Sequence, residues 1–398
     1  MSPAQTSQVA PGQEAGRPQP QTTVMPAGHP FVSYAHHGWR LQYQSTGNAF
    51  GGQINNPLVA VPGYIKGFSI RVAATGGSAT ANITAAADAP YNAFSNIQLY
   101  DAFGTPLIIA PGFEALRLIP KYSGQHFFGA PASPDNLSSF TTMALASGAS
   151  AGNFTFQSYL PLEFVKGIGT LSGANASLLP RLQWTLNPFS SLLTTATSAA
   201  EVTNPVAEVD IDSEFYWLPE GVNIEPPGLG TTCQWVLQQA NPTIASASTT
   251  RVQLPRFGGY IHTFIFVLRD SLAARVEAWP TRDRIYIDGV PLWDVRDDTW
   301  KDLMQEQFQL PNFIGNNTFT ATTNVETGVR VLSRRQSLSN IVPPLLDTGE
   351  TFISTNPGTL VEVEGAPWGT ITNSPATLNV LAGLVVPVGA LVTGLPEL

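Results

Sequence analysis

Two stretches decide how this chain is read: Asn96-Ile97-Gln98-Leu99-Tyr100-Asp101-Ala102-Phe103-Gly104-Thr105-Pro106-Leu107 and Asp283-Arg284-Ile285-Tyr286-Ile287-Asp288-Gly289-Val290-Pro291-Leu292. Each begins with a run that alternates apolar and polar side chains, as a strand with one buried face does. An Asp and a Gly then supply turn chemistry, and a small or β-branched residue followed by Pro-Leu opens a second strand. Each stretch leads into a helix start.

A second pair of runs stands in the same order. Tyr64-Ile65-Lys66-Gly67-Phe68-Ser69-Ile70-Arg71-Val72 is matched by Tyr260-Ile261-His262-Thr263-Phe264-Ile265-Phe266-Val267-Leu268. Between strand and hairpin the second copy is eleven residues shorter, and the loop region 76–90 of the first copy is where the extra residues fit. Two matched elements in one order indicate an internal duplication.

At 398 residues the chain is long enough for two domains, each with its own core. Only 12% of residues are charged, about half of the roughly 25% usual in soluble proteins, whereas 43% are hydrophobic. Small and neutral polar residues must therefore cover most of the surface, which suits dense subunit contacts. The 35 Gly and 33 Pro are spread throughout and indicate many turns with few long helices. A net charge of −9 argues against a general polyanion-binding surface, and no direct sequence-specific nucleic-acid contact is expected. The single cysteine, Cys233, excludes an internal disulfide and is read as a small core residue of a protein folded in a reducing cytoplasm. No secretory leader pattern is visible at the N-terminus. The most apolar run, 378–392, is broken by Gly383, Pro387 and Gly389 and reads as buried strands rather than a membrane span.

Residues 1–30, rich in Gln, Pro, Ala, Gly and Thr, lack the apolar side chains for a core and are read as a flexible N-terminal arm. A first sandwich is placed at 31–218, a rigid linker at 219–231 around Glu225-Pro226-Pro227-Gly228, and a second sandwich at 232–398. Further strands are expected at 153–163, 179–186 and 208–217, then at 319–332, 351–354, 359–364 and 378–392. Helical periodicity follows each hairpin, at 111–117 and at 294–308. In the latter, Trp300, Leu303, Met304 and Phe308 share one side as core packing, and Asp297 and Asp298 suit the first turn.

Few residues suggest chemistry. Glu208, Asp210, Asp212 and Glu214 fall on one face of a strand whose other face carries Val209, Ile211 and Phe215. Such a row reads either as a Ca²⁺ site at a subunit contact or as a solvated edge that discourages wrong pairing. His36 and His37 are adjacent on a strand, so they point to opposite faces and do not share a metal. His262 occupies the repeat position of Lys66, a place set by the fold rather than by a reaction. The stretch Gly167-Ile168-Gly169-Thr170-Leu171-Ser172-Gly173 lacks the spacing and the following Lys of a phosphate loop. Arg334 and Arg335 sit in a loop-like context where either an acidic neighbour or plain solvent fits. No catalytic residue, cofactor site or metal site is expected.

These residues carry a resemblance. The 65–72 strand, the 96–107 stretch with Leu99-Tyr100-Asp101 and Gly104, and Tyr159-Leu160-Pro161-Leu162 look like the double jelly-roll major capsid proteins of tailless, membrane-containing bacteriophages of the tectivirus type. The resemblance implies an all-β fold of two tandem eight-stranded jelly rolls with short helices in loops. It also implies a homotrimer of pseudo-hexagonal outline that meets neighbouring trimers in an icosahedral virion shell around an internal membrane and a DNA genome. The arm would then reach neighbouring subunits, vertex or minor capsid proteins, or the membrane, although its Pro and Gly content does not promise an amphipathic helix. Assembly would take place in the host cytoplasm. The competing readings are a tandem β-sandwich that binds a receptor or carbohydrate, and a carbohydrate-active β-sandwich enzyme.

Overall fold

The computed structural model describes residues 30–58, 60–123, 143–164, 167–175, 179–194, 202–226, 231–307, 326–333, 353–365 and 367–387. Residues 1–29 of the arm expected at 1–30 lie outside them, as do Phe308, Arg334 and Arg335. A short helix α1 (Pro30–Tyr34) precedes eleven strands: β1 (His36–Asn48), β2 (Gln53–Pro57), β3 (Tyr64–Thr75), β4 (Ser78–Ala79), β5 (Phe94–Tyr100), β6 (Pro106–Ala110), β7 (Phe154–Pro161), β8 (Leu171–Ser172), β9 (Arg181–Leu186), β10 (Val202–Thr203) and β11 (Val206–Trp217). Between β6 and β7 a wide-turned π segment, Glu114–Leu118, runs into α2 (Ile119–Tyr122). The second half contains β12 (Thr231–Gln239), β13 (Arg251–Gln253), β14 (Gly259–Arg269), β15 (Arg282–Ile287), β16 (Val290–Arg296), α3 (Asp297–Gln307), β17 (Val329–Ser333), β18 (Ile353–Thr355), β19 (Val361–Gly365) and β20 (Thr377–Pro387).

The strand orders identify the architecture. In the first half, β1-β11-β3-β7 form one sheet and β2-β9-β5-β6 the facing one; in the second, β12-β20-β14-β17 and β13-β19-β15-β16 repeat the pattern. When the eight main strands of each half are lettered B to I along the chain, both halves read B-I-D-G and C-H-E-F, which is the jelly roll. The short β4, β8, β10 and β18 pair beside these paths. Strand F of the first jelly roll, β6, runs parallel to strand B of the second, β12, with Trp235 opposite Ile108 and Val236 opposite Ile109. That junction fuses two of the four sheets into a single nine-stranded sheet.

The duplication holds to the level of single residues. The two quoted stretches are the E–F hairpins, and each slips register at the same step: Leu99 faces Ile108 and Tyr100 faces Pro106, while Ile285 faces Trp293 and Tyr286 faces Pro291. The D strands agree as well. Between β3 and β11 the register shifts after the Ile65–Phe215 pair and resumes at Gly67–Glu214; between β14 and β20 it shifts after Ile261–Leu384 and resumes at Thr263–Gly383. Lys66 and His262 are the bulged residues at this shared step. Turn chemistry differs between the copies. In the first hairpin Asp101 Oδ1 accepts from the N–H groups of Phe103 and Thr105 at 2.8 and 2.7 Å; the second closes through Asp288 and Gly289, both at positive φ. The longer D–E connection of the first copy, 76–93 against 270–281, holds most of the length difference.

Each core lies between the two sheets of a jelly roll. Phe68, Ile70, Val72, Ile97, Leu99, Phe156, Val209 and Ile211 fill the first, and Phe264, Phe266, Trp279, Ile285, Trp300, Val363 and Val380 the second. Strand β14 is buried on both faces from Ile261 to Leu268, which explains its continuous apolar run where β3 alternates. Several expectations need correction. The third helix starts at Asp297, because Asp294, Val295 and Arg296 are paired with β15. Trp300 and Met304 are buried, but Leu303 is 40% exposed and leaves the expected stripe. Residues 377–387 form one strand, and Gly383 lies in its middle rather than breaking it.

Candidate functional site

Strand β11 separates its acidic residues from Val209, Ile211 and Phe215 as the alternation predicts. The acidic row is not a solvated edge, because β11 runs between β1 and β3. Nor do its carboxylates stand by themselves. Strand β3 sets basic side chains beside it: Arg71 Nη1 lies 2.8 Å from Asp210 and 3.4 Å from Glu208, and Lys66 Nζ lies 3.0 Å from Glu214. The Tyr159 hydroxyl donates to Glu214 at 2.6 Å, and His37 Nδ1 stands 3.3 Å away. Burial opposes the charge of Glu214, yet the bonds from Tyr159 and Lys66 hold it below the usual carboxylate range. Asp212 is pushed up, by burial and by Asp210. Among the described residues no three His, Cys, Asp or Glu side chains are grouped to hold a metal ion.

The other residues singled out by the sequence turn out to be parts of the packing. His36 and His37 touch different rings, Trp217 and Tyr216. His262 is packed beside Phe164 and Trp235, with Nδ1 3.0 Å from the Thr263 hydroxyl. It lies over Gly383, where a Cβ would stand 2.4 Å from the imidazole. One bulge thus seats an ion-paired lysine in the first copy and an aromatic-packed histidine in the second. The glycine-rich stretch folds over Glu163, whose carboxylate accepts from the Gly167 N–H and, at 3.0 Å, from the Tyr216 hydroxyl. Gly169 lies against the buried Cys233, and Leu171–Ser172 continues as β8 rather than as a helix. Asp297 pairs with Arg330 at 2.6 Å and Lys301 at 2.7 Å, and Asp298 with Arg296 at 2.8 Å.

Sequence reasoning missed a buried ionic seam between the halves. Arg269 at the end of β14 reaches Asp88 and Glu114 of the first half, each at 2.7 Å, and Arg275 reaches Asp88 at 2.5 Å. From the other side Arg117 and Lys121 reach Glu326 at 2.9 and 3.0 Å. Burial opposes ionisation of Glu326, but Lys121 and Arg117 pull it down to about 2; burial also lowers Lys121 to about 8 against the attraction of Glu326. A cavity of about 310 Å³ opens here, lined by Tyr91, Phe113, Arg117, Met143, Arg275 and Glu326 among others. Its charged groups are locked in pairs across the seam, an arrangement that clamps two sandwiches together. The one available signal is composition: in a chain this poor in charge, arginines beside apolar runs stand out.

A second buried polar group is Asp283, on strand E of the second jelly roll. It is 0% exposed, and among the described residues neither carboxylate oxygen has a hydrogen-bond partner. Burial, reinforced by Asp297, pushes it up to about 8 despite Arg330 and Lys301. The hairpin register places Ile97 at the same position of the first copy, a slot shaped for an apolar side chain.

On the surface, Trp39 and Leu41 of β1 are more than half exposed. Among the described residues they stand on the outermost strand of their sheet, and β16 ends its own sheet in the same way.

No family model matches the chain, and no curated protein matches it at a significant level. Solved structures do. The STIV MCP is similar over 91% of this chain and 100% of its own, with a TM-score of 0.62 and 14% identity. A chain from the atomic structure of Sulfolobus Turreted Icosahedral Virus covers 90% and 94%, with a TM-score of 0.59 and 14% identity. PBCV-1 VP54, as fitted into a reconstruction of the virophage Sputnik, covers 88% and 94% at a TM-score of 0.55 and 11% identity. The chain has the double jelly-roll fold of viral major capsid proteins.

Proposed function

We propose that this protein is a major capsid protein, a non-enzymatic shell subunit that acts in the virion. The observation that carries the reading is the pair of B-I-D-G and C-H-E-F sandwiches joined through one nine-stranded sheet. A chain that presents two nearly equivalent sandwiches can offer six of them as a homotrimer, which suits a pseudo-hexagonal tile in an icosahedral lattice. The ionic seam supports this reading, because a tile must keep its two halves at a fixed angle. We place the first jelly roll at 31–218, the linker at 219–231 and the second jelly roll at 232–398, with residues 1–30 as an arm toward neighbouring trimers, minor or vertex proteins, or a membrane. An internal membrane around a DNA genome, as in tectivirus-like phages, completes the proposal. The receptor- or carbohydrate-binding alternative gains nothing from the exposed Trp39, which stands on a strand and not in a loop cluster.

The test is the mass of the purified protein in solution, followed by imaging of its assemblies. Trimers of about three times 42.5 kDa with a hexagonal outline are expected. A chain that remains monomeric at micromolar concentration and joins no particle overturns the reading.

A further inference from the structure

Within the chain, strand F of the first jelly roll pairs with strand B of the second. The duplication leaves the complementary edges over: among the described residues strand F of the second jelly roll, β16, and strand B of the first, β1, each end their sheet. The register shows which residues correspond. Glu214 and Gly383 are matched by the shared bulge; Trp39 faces Glu214 in β1, and Trp235 faces Gly383 in β12. Trp39 therefore stands where Trp235 stands, with Arg40 in the place of Val236 and Leu41 in that of Leu237. On the other side the hairpin register puts Trp293 in the place of Ile108 and Asp294 in that of Ile109. Trp235 is 3% exposed under the intrachain junction, whereas its counterpart Trp39 is 56% exposed.

We propose that β16 of one copy adds in parallel to β1 of a second copy, repeating the intrachain F–B junction, with Trp293 beside Trp39 and Asp294 beside Arg40. The charges favour this occupant. Where the intrachain junction sets Val236 against Ile109, the free edges carry Arg40 and Asp294, both on exposed positions; within the chain Arg40 donates to the Ala60 carbonyl at 2.6 Å and Asp294 pairs with Arg282 at 2.5 Å, so the junction adds Arg40 to a carboxylate that is already paired on its own sheet. The long exposed edge of β1, with its Trp and Leu, is also the kind of strand that invites pairing unless something covers it. A junction between two different edges is head-to-tail, so it closes into a ring when its rotation allows. The proposal rests on the trimer reading and names the strands that make the trimer.

The test uses the full chain carrying both Arg40→Cys and Asp294→Cys, joined by mild oxidation or by a short bis-maleimide; each single variant and the wild type, which holds only the buried Cys233, serve as controls. A covalently closed trimer is expected from the double variant alone. In parallel, Arg40→Glu is expected to weaken trimer association by roughly tenfold, with recovery when Asp294→Lys is added, as for complementary interfacial charges. Thermal unfolding of each variant checks that it folds. Wild-type trimers with no cross-link in the double variant and no loss in Arg40→Glu refute the strand pairing and leave the capsid reading standing. A wild-type chain that stays monomeric refutes both.

Discussion

Replacing Asp283 by Asn should stabilise the protein at neutral pH and do nothing in acid. The carboxyl is fully buried, with no hydrogen-bond partner among the described residues, in a slot that the first copy fills with Ile97. Its affinity for a proton rises from the ordinary 3.8 in the unfolded chain to about 8 in the folded one. Because the folded value is the higher, stability is fully present below about pH 4 and declines as the pH climbs toward 8, where the unfolded chain ionises freely and the folded one resists. Each unit of that gap corresponds to about 1.4 kcal/mol, so the loss at pH 7 is about 4 kcal/mol. Asn keeps the shape of the protonated acid and removes the ionisation. Denaturant unfolding of both proteins between pH 4 and 8.5 measures the difference, which should grow from near zero to several kcal/mol in favour of the variant. A constant difference across that range, or a variant less stable than wild type at pH 8, refutes the reasoning.

Glu326→Gln should destabilise by about 3 kcal/mol at pH 7, because it removes the negative charge that the buried Arg117 and Lys121 share. Glu326 titrates lower in the folded state, so its contribution is present above the ordinary 4.5 and is lost as the pH falls toward 2; the two proteins should converge in acid on urea titration. Trp300→Ala should cost about 3–5 kcal/mol, while Leu303→Ala on the exposed side of α3 should cost under about 1 kcal/mol. Equal losses in the two alanine variants would refute packing of the helix through its Trp300 side alone.

The hairpins and D strands were legible because an E–F turn needs Asp and Gly at particular places and a sandwich strand needs a two-residue period. Both are local requirements, and they recur wherever the fold is repeated. Even the bulge left a trace: Lys66 and His262 occupy the same position of the repeat although their chemistry differs. The acidic strand face was legible as a face, but its neighbours were not. Arg71 and Lys66 lie far from Glu208 and Glu214 in sequence, and only the register of β3 on β11 brings them together. The exact start of α3 was hidden because Asp294, Val295 and Arg296 suit a helix as well as a strand, and pairing with β15 decides between them.

By itself the sequence determined that there are two copies of an all-β unit, where each copy has its register marks, and that the surface carries little charge. These follow from periodicity and turn stereochemistry within a few residues. Tertiary structure alone decided the B-I-D-G and C-H-E-F orders, the parallel β6–β12 junction, the seam of Arg269, Arg275, Asp88, Glu114 and Glu326, and the burial of Asp283. The physical reason is range: strand order and charge pairing join residues far apart in the chain, and their energies depend on burial that no local pattern records.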